Sequence, residues 1–160
     1  MKINNIIRRA SFLDIKPIQE VLLAAFEEYR VFYSAEAFAD TILSNEETAR
    51  DRLSQMIVYI AIDFDGNIIG TIGWQKKGAE EGHIRGMAVH PKRQGKNSPA
   101  TSLLLQVENE ARSEGCTIMT LDTTEILLRA QKFYRKNGYD KTGKTTRWFG
   151  HIIYEFAKRL

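Results

Sequence analysis

The sequence has few residues that could cross-link the chain or bind a metal ion. Its 160 residues include one cysteine, Cys116, and three histidines. A lone cysteine cannot form an internal disulfide, and the histidines and Cys116 lack the spacing of metal ligands, so we expect no metal site. We expect Cys116 to be a small buried residue rather than a nucleophile, and the setting to be reducing and cytoplasmic. His90 and His151 are expected to be surface groups.

Long apolar runs are also lacking. No stretch approaches the roughly 20 apolar residues of a membrane span, and the first residues lack a signal peptide's apolar segment, so we expect neither a membrane anchor nor secretion. Lysine and arginine are dispersed without a recognition motif, which argues against a nucleic-acid partner. With 43% hydrophobic residues and no linker or repeat, residues 1–160 are predicted to form a single domain.

The net charge of +3 is unevenly distributed. The segment from Phe26 to Asp51 contains seven acidic residues and two arginines and carries −5, so the rest of the chain carries +8. A basic body suits a polyphosphate ligand, and an acidic segment suits a cationic amine. Solvated helix faces also produce such acidic runs, so both interpretations of the segment stand.

Alternating apolar residues and turn signals predict a mixed α/β fold. The predicted strands are 6–10, 57–64, 68–75, 83–89, 117–122, 139–146 and 152–158. Asp65-Gly66-Asn67 joins the second and third strands and is typical of an antiparallel hairpin. Gly86 inside the fourth strand indicates a bulge.

Helical patterns lie between these strands, and each begins after a polar residue. The expected helix caps are Asp14, Ser34, Ser44, and Thr123 or Thr124. The last of these helices is predicted to end at Asn137-Gly138.

A basic loop leads from the predicted strand 83–89 into an amphipathic helix. Apolar residues recur at helical spacing from Ala100 to Ala111, and Gly115 ends the pattern. Ser98 is expected to cap this helix and Pro99 to occupy its first position. Unpaired N–H groups at a helix start, next to a basic loop, favour a phosphate group.

Two sequence blocks together resemble the GNAT superfamily of N-acetyltransferases. The first, Val89-x-Pro91-x-Arg93-Gln94-Gly95-Lys96 followed by a Leu-Leu helix, is similar to the family's acetyl-CoA pyrophosphate loop. The second, Ala130-x-x-Phe133-Tyr134-x-x-Asn137-Gly138-Tyr139, is similar to its later helix and strand. The resemblance covers most of the chain. It implies a mixed, mostly antiparallel sheet with a central splayed pair of parallel strands flanked by helices.

The resemblance also implies acetyl-CoA as co-substrate, with its pantetheine arm between the splayed strands. The residues implied in binding it are Met87, Ala88, Val89, Gln94, Gly95, Lys96, Asn97, Ser98, Pro99, Ala100, Thr101, Ala130 and Phe133. Asn97 stands where the family has a glycine, and asparagine tolerates a left-handed backbone. Either Pro99 or Ala100 takes the last small position of the loop, and Leu127 replaces a family asparagine.

Acyl transfer to an amine needs a neutral amine, a stabilised oxyanion and a proton for the departing thiolate. Backbone N–H groups near Ala88 and Val89 are candidates for the oxyanion. Tyr134 matches the family's proton donor and, as a phenol, is protonated at neutral pH; the alternative is an aromatic core residue. His83 and Glu81 share one strand face and are candidates for the base, directly or through water, unless they form a polar pair at a sheet edge.

We therefore predict an N-acetyltransferase that binds acetyl-CoA and a primary amine together and transfers the acetyl group directly. The second hypothesis is a GNAT fold without catalysis that serves as a CoA-binding or interaction module. The acceptor is either a small amine or a protein N-terminus or lysine. The aromatic segment 29–38 would shape the acceptor pocket, or would pack a helical connection onto the sheet. The C-terminal strand and Trp148 are candidates for a homodimer contact.

Overall fold

The computed structural model describes residues 5–160, in which seven strands form one sheet. The strands are β1 (Ile6–Arg9), β2 (Ile57–Ile62), β3 (Ile68–Lys76), β4 (Glu81–Val89), β5 (Ile118–Thr124), β6 (Asp140–Trp148) and β7 (His151–Arg159). Their order is β1-β2-β3-β4-β5-β7-β6, and β4 and β5 form the parallel pair. The predicted mixed, mostly antiparallel sheet is confirmed. The first four residues of the predicted domain lie outside the described part of the chain.

Helices cover both faces of this sheet. They are α1 (Ile15–Phe26), α2 (Ala35–Thr41), α3 (Glu46–Gln55), α4 (Ala100–Ser113) and α5 (Leu128–Lys136). The alternation of β2 explains the two-sided core, because successive side chains of a strand point to opposite faces. Val58 and Ile60 pack with α1 and α3, whereas Tyr59 and Ala61 pack with α4 and α5.

The predicted bulge in β4 is confirmed. Gly73 of β3 pairs with Arg85, but Thr71 pairs with Ala88, so β4 has one more residue than its partner over this interval. Gly86 lies within the extra stretch and has a φ of +69°, a conformation that favours glycine.

The splay between β4 and β5 is confirmed as well. The two strands pair only where Glu81–Ile84 lies beside Ile118–Leu121. Beyond the bulge β4 turns towards β3, while β5 continues along β7 as far as Thr124. The sheet therefore opens between β4 and β5 after Ile84.

The structure corrects two of the helix caps and confirms another. Ser34 Oγ accepts a hydrogen bond from Ala37 N–H at 3.1 Å, as expected. Asn45, rather than Ser44, caps α3 with its side chain. The Asp14 carboxylate accepts from Ser11 N–H at 2.8 Å and from Arg8 at 2.9 Å, so it supports the short turn before α1 instead of capping α1 itself.

The two later helix starts also differ from the prediction. Thr123 and Thr124 pair with β7 and end β5, so α5 begins only at Leu128. Pro99 lies immediately before α4 rather than at its first position, and Ser98 Oγ accepts from Ala100 N–H at 3.2 Å. Strand pairing decides the first difference, because a ladder of hydrogen bonds extends a strand beyond its local preference.

A buried ionic group ties α4 to the last strands. Glu108 is fully buried, and its carboxylate accepts hydrogen bonds from Tyr139 Oη at 2.8 Å and from Lys158 Nζ at 3.0 and 3.1 Å. Burial and the neighbouring carboxylate raise the pKa of Tyr139. A buried carboxylate requires such partners, because an unpaired charge in the core is strongly destabilising. Cys116 is buried, as expected.

Candidate active site

The separation of β4 and β5 opens a cleft of about 1230 Å³. Its walls come from β4 at and after the bulge, the loop before α4, helix α5, and the segment from α1 to α3. Where parallel strands part, their facing edges no longer pair with each other and leave backbone groups available to a ligand. The cleft is therefore an extended slot with polar backbone along part of its length.

The loop before α4 forms one end of the cleft and is shaped for close approach of a ligand. Gly95 has a φ of +87° and Asn97 a φ of +67°. Asparagine takes this left-handed conformation more readily than most residues, so Asn97 occupies a glycine-like position, as predicted. Ala100 and Thr101 also line the cleft, so the positive end of the α4 dipole faces it. This combination favours a phosphate group.

Most residues predicted to bind the cofactor line this cleft. They are Met87, Ala88, Val89, Gln94, Gly95, Asn97, Ser98, Ala100, Thr101, Ala130 and Phe133. Lys96 instead lines a smaller cavity of about 140 Å³ beside Lys92 and Arg93. Pro99 faces the sheet, where its ring lies beside Gly70 of β3.

Gln94 holds the loop in place with its side chain. Its Nε2 donates to the Val89 carbonyl at 2.9 Å, and its Oε1 accepts from Arg129 Nη1 at 2.7 Å. Arg129 also pairs with Glu28 at 3.0 Å. The loop, the end of β4 and α5 are thereby connected across the cleft.

Tyr134 is buried in the described structure and lines the cleft. Its hydroxyl donates to the Met87 sulfur at 3.3 Å, and its ring packs edge-on against Phe133 and Tyr139. Burial raises the pKa of Tyr134, so the phenol is protonated throughout the neutral range. The side chain thus combines core packing with a hydroxyl at the edge of the slot, next to β4.

His83 and Glu81 belong to one hydrogen-bonded chain. Thr120 Oγ1 donates to Glu81 Oε1 at 2.7 Å and lies 2.7 Å from His83 Nδ1. Because a hydroxyl has one proton and a carboxylate accepts only, His83 Nδ1–H must donate to Thr120. His83 Nε2 lies 3.5 Å from Asp122 Oδ2. When His83 is protonated, its Nε2–H hydrogen bond and its charge lower the pKa of Asp122.

This arrangement places His83, but not Glu81, in the cleft. Both residues lie on β4, which is paired on both sides, so they are not at a sheet edge, but their shared link to Thr120 does make them a polar pair. Neutral His83 presents an unprotonated Nε2 that can take up a proton, and the Asp122 carboxylate would stabilise the resulting cation.

The aromatic segment closes one side of the cleft. Tyr33 Oη lies 3.2 Å from Thr124 Oγ1, and its ring packs edge-on against Trp148 and His151. His151 Nδ1 also lies 3.3 Å from a Glu125 carboxylate oxygen. His151, the first residue of β7, is therefore packed against the aromatic segment with its side chain 14% exposed, and its expected surface position is wrong. His90 instead supports a short turn by accepting from Lys92 N–H at 3.2 Å.

Several polar residues in or beside the cleft were not among the predicted site residues, and Thr120, Asp122, Arg52 and Arg85 are the ones that bear on its chemistry. Thr120 and Asp122 are polar positions in a buried strand, which was the available signal. Arg52 and Arg85 also line the cleft, but arginine on a helix or strand carries no local signal of its target. Of the seven acidic residues in segment 26–51, the cleft is lined by two, Glu28 and Asp40.

The described residues form neither a metal-binding cluster nor a membrane-spanning helix. Residues 5–160 contain no group of three or more His, Cys, Asp or Glu side chains placed to hold a metal ion. Over the same part of the chain, no helix has both the length and the apolar character needed to cross a bilayer.

Comparison with known proteins identifies relatives for most of the chain. The sequence model of the family described as Acetyltransferase (GNAT) family matches residues 18–139. PaiA N-acetyltransferase from Thermoplasma acidophilum, solved with coenzyme A, has a TM-score of 0.83 and 19% identity, over 98% of this chain and 99% of its own. A GCN5-related N-acetyltransferase from Rhodopseudomonas palustris has a TM-score of 0.79 and 23% identity, over 100% and 99%.

An aminoglycoside 6'-N-acetyltransferase complexed with coenzyme A has a TM-score of 0.71 and 18% identity, over 96% of each chain. A search of the curated protein sequences finds no significant match. At these identities the solved structures establish the fold. The family match leaves out only the two ends of the chain and includes both sequence blocks in full. Acetyl-CoA, the acyl donor implied by the resemblance, fits the slot and its phosphate-favouring loop. The chain belongs to the GNAT acetyltransferase family.

Proposed function

We propose that this protein is an N-acetyltransferase that moves an acetyl group from acetyl-CoA directly to a primary amine of a small molecule or peptide. One observation carries the proposal: a phosphate-favouring loop, a proton acceptor and a protonated phenol open onto one continuous cleft. Acetyl-CoA supplies the activated acetyl thioester. The remaining requirements fall to side chains and backbone groups of this chain.

The loop and the slot hold the two ends of the donor. Backbone N–H groups of the loop and of the first turn of α4 are placed for the pyrophosphate, and the unpaired edge of β4 for the amide groups of the pantetheine arm. Backbone N–H groups near Ala88 and Val89 lie at the same edge and would stabilise the oxyanion of the transferred acetyl group.

His83 is the proposed base. Its Nδ1–H is held by Thr120, which leaves Nε2 to accept a proton from the acceptor's ammonium group, directly or through water. Glu81 lies behind Thr120 and positions this pair. Tyr134 is the proposed acid, because its hydroxyl lies at the slot beside Met87 of β4 and is protonated when the thiolate departs.

The acceptor side supports a small molecule or a short peptide rather than a folded protein. Tyr33 bridges from the segment after α1 to β5 and the β6–β7 hairpin, which narrows the approach. We also propose a cytoplasmic location, because the single cysteine is a buried thiol.

Any homodimer contact belongs at the sheet edge. β7 is paired on both sides, so the C-terminal strand offers no free edge; the edge strands of the sheet are β1 and β6. Trp148 of β6 packs against Tyr33 and Phe149 and faces the cleft. We therefore propose β6, the edge strand next to β7, as the contact for a second copy.

The test is calorimetric titration with acetyl-CoA, followed by thiol release in the presence of a panel of amines and mass spectrometry of the N-acetylated product. We expect binding, amine-dependent thiol release, and a loss of about 100-fold or more in kcat for His83→Gln. His90→Gln is the matched control, because within residues 5–160 the His90 side chain forms a hydrogen bond only with Lys92 N–H of the following turn and does not line the cleft, and it should retain wild-type turnover.

Two outcomes would overturn the proposal. If acetyl-CoA does not bind, the loop does not serve this cofactor and the enzyme assignment fails. If acetyl-CoA binds but no amine stimulates thiol release, the protein is a CoA-binding module without catalysis.

A further inference from the structure

Two arginines at the acceptor side of the cleft lack partners in the described structure. Within residues 5–160, no hydrogen bond or ion pair engages the guanidinium groups of Arg52 on α3 or Arg85 on β4, and both line the cleft. Arg50, the other arginine of α3, does have a partner, because it forms an ion pair with Glu46 at 3.1 Å. An unpaired guanidinium is common on a surface, but Arg52 is not on the open surface.

Arg52 is partly buried against β4. A Cβ atom built on Gly86 would lie 3.0 Å from Arg52 Nη1, so the guanidinium rests against the backbone of the bulge. Burial, followed by repulsion from Arg85, lowers the pKa of Arg52 to about 10, and Asp40 offsets this only in part. Arg52 is still charged at neutral pH, so the fold holds two like charges close together; Asp40 lies near Arg52 and Asp122 near Arg85, but neither carboxylate forms an ion pair with them in the described residues.

Arg52 lies beside the part of β4 that borders the proposed site of acetyl transfer. Gly86 directly precedes Met87, whose sulfur accepts from the Tyr134 hydroxyl at 3.3 Å. Arg52 therefore approaches the bulge one residue along β4 from Met87, in the same cleft as His83, the proposed base. An acceptor whose amine reaches His83 can therefore also present an anion to Arg52 and Arg85 within this cleft.

We infer that the acceptor is an α-amino acid or a similarly short amino acid, whose carboxylate is bound by Arg52 and Arg85. Arginine is suited to this task, because its planar fork binds both oxygens of a carboxylate and pays less for desolvation than lysine does. The inference rests on the proposed N-acetyltransferase activity and adds the acceptor class. It also replaces the interpretation of segment 26–51 as a site for a purely cationic amine, since Glu28 is paired with Arg129 and Asp40 lies near Arg52.

The experiment compares amino acids with the amines that lack only the carboxylate. The probes are L-phenylalanine with phenethylamine, L-methionine with 3-(methylthio)propylamine, and L-tryptophan with tryptamine, extended to the remaining proteinogenic amino acids. Thiol release is measured at saturating acetyl-CoA for the wild type, Arg52→Gln, Arg85→Gln and Arg50→Gln. Thermal unfolding and acetyl-CoA titration of each variant confirm that the protein is folded and loaded.

We expect at least one amino acid to exceed its matched amine in kcat/KM by tenfold or more. Arg52→Gln and Arg85→Gln should each lower kcat/KM for that amino acid by roughly 10- to 100-fold through KM, because each loses a charge-assisted hydrogen bond. The matched amine should change by less than about twofold, and Arg50→Gln should change neither substrate.

The inference is overturned if the amines are the better acceptors, if no amino acid is acetylated, or if the arginine variants lower kcat equally for both members of a pair. The last result would place Arg52 at the oxyanion or in the structure of the bulge. Failure of the underlying activity is distinguishable, because then acetyl-CoA does not bind or no amine of either class releases thiol.

Discussion

Replacing Tyr134 and Tyr139 by phenylalanine, one at a time, separates catalysis from folding at two adjacent rings. The two rings lie 5.7 Å apart and both belong to the core. Their hydroxyl groups differ in target: that of Tyr134 reaches the Met87 sulfur at the cleft, whereas that of Tyr139 reaches the buried Glu108 carboxylate. Each substitution removes one oxygen atom and keeps the ring, so packing is preserved in both variants.

The stability effects should be unequal. Tyr139→Phe removes a hydrogen bond to a buried charge, which costs about 1.5–3 kcal/mol, although Lys158 still pairs with Glu108. For a chain of this size each kcal/mol lowers Tm by about 2–4 °C, so we expect a decrease of roughly 3–12 °C. Tyr134→Phe loses a neutral hydrogen bond to sulfur, for which we expect about 1 kcal/mol or less.

The effects on turnover should be reversed. Tyr134→Phe should lower kcat by about 100-fold or more if the phenol protonates the departing thiolate, with little change in the affinity for acetyl-CoA. Tyr139→Phe should retain turnover at a temperature well below its Tm. Because burial raises the pKa of Tyr134, its ionisation should not produce an alkaline decline in kcat between pH 7 and 9.

Tm is measured by circular dichroism melting, affinity for acetyl-CoA by calorimetric titration, and turnover by single-turnover thiol release. All three are measured on the same preparations. The reasoning would be refuted if Tyr134→Phe turned over at the wild-type rate, or if it lost as much stability as Tyr139→Phe. The first result would make Tyr134 a core residue without a role in proton transfer, and the second would show that its hydroxyl stabilises the fold as much as that of Tyr139 does.

Three further predictions concern the loop, the N-terminal turn and the base. Asn97→Ala should weaken acetyl-CoA binding, because a left-handed alanine costs about 1–2 kcal/mol, whereas Asn97→Gly should bind as the wild type does in calorimetry. The Arg8 hydrogen bond lowers the pKa of Asp14, so its contribution to stability is full above the unfolded pKa near 3.8 and is lost as the pH falls through the lower native pKa. Asp14→Asn should therefore lower Tm at pH 7 and make little difference at pH 2; an equal loss at both would exclude the ion pair as its cause. Thr120→Val should lower kcat roughly tenfold or more by leaving the Nδ1–H of His83 unpaired, and unchanged kcat across the pH profile would remove Thr120 from the mechanism.

Local signals explain most of what was predicted correctly. The hairpin between β2 and β3 follows from Asp65-Gly66-Asn67, where turn residues separate two apolar runs. The bulge follows from a glycine inside a strand, and the left-handed Asn97 from its place in the loop pattern. In each case one residue type tolerates a backbone conformation that others avoid, so the sequence position is sufficient.

The helix caps show where local signals fail. Ser44 and Asn45 are adjacent and both are good caps, and the difference between them depends on the path of the chain from α2. Thr123 and Thr124 are acceptable caps in isolation, but β7 pairs with them and keeps them in a strand. Propensities differ by less than the free energy of several strand hydrogen bonds, so the tertiary pairing decides.

By itself, the sequence determined the α/β pattern, the bulge, the loop that favours phosphate and the family of the chain, because these depend on periodicity, turn residues and motif spacing; the splayed parallel pair was implied by the family resemblance. Only the tertiary structure placed Thr120 between Glu81 and His83, packed His151 beneath Tyr33, and brought Arg52 and Arg85 to one side of the cleft. These contacts join residues that are more than 30 positions apart in the chain, and their partners are selected by how the helices pack on the sheet. No local pattern specifies such a partner.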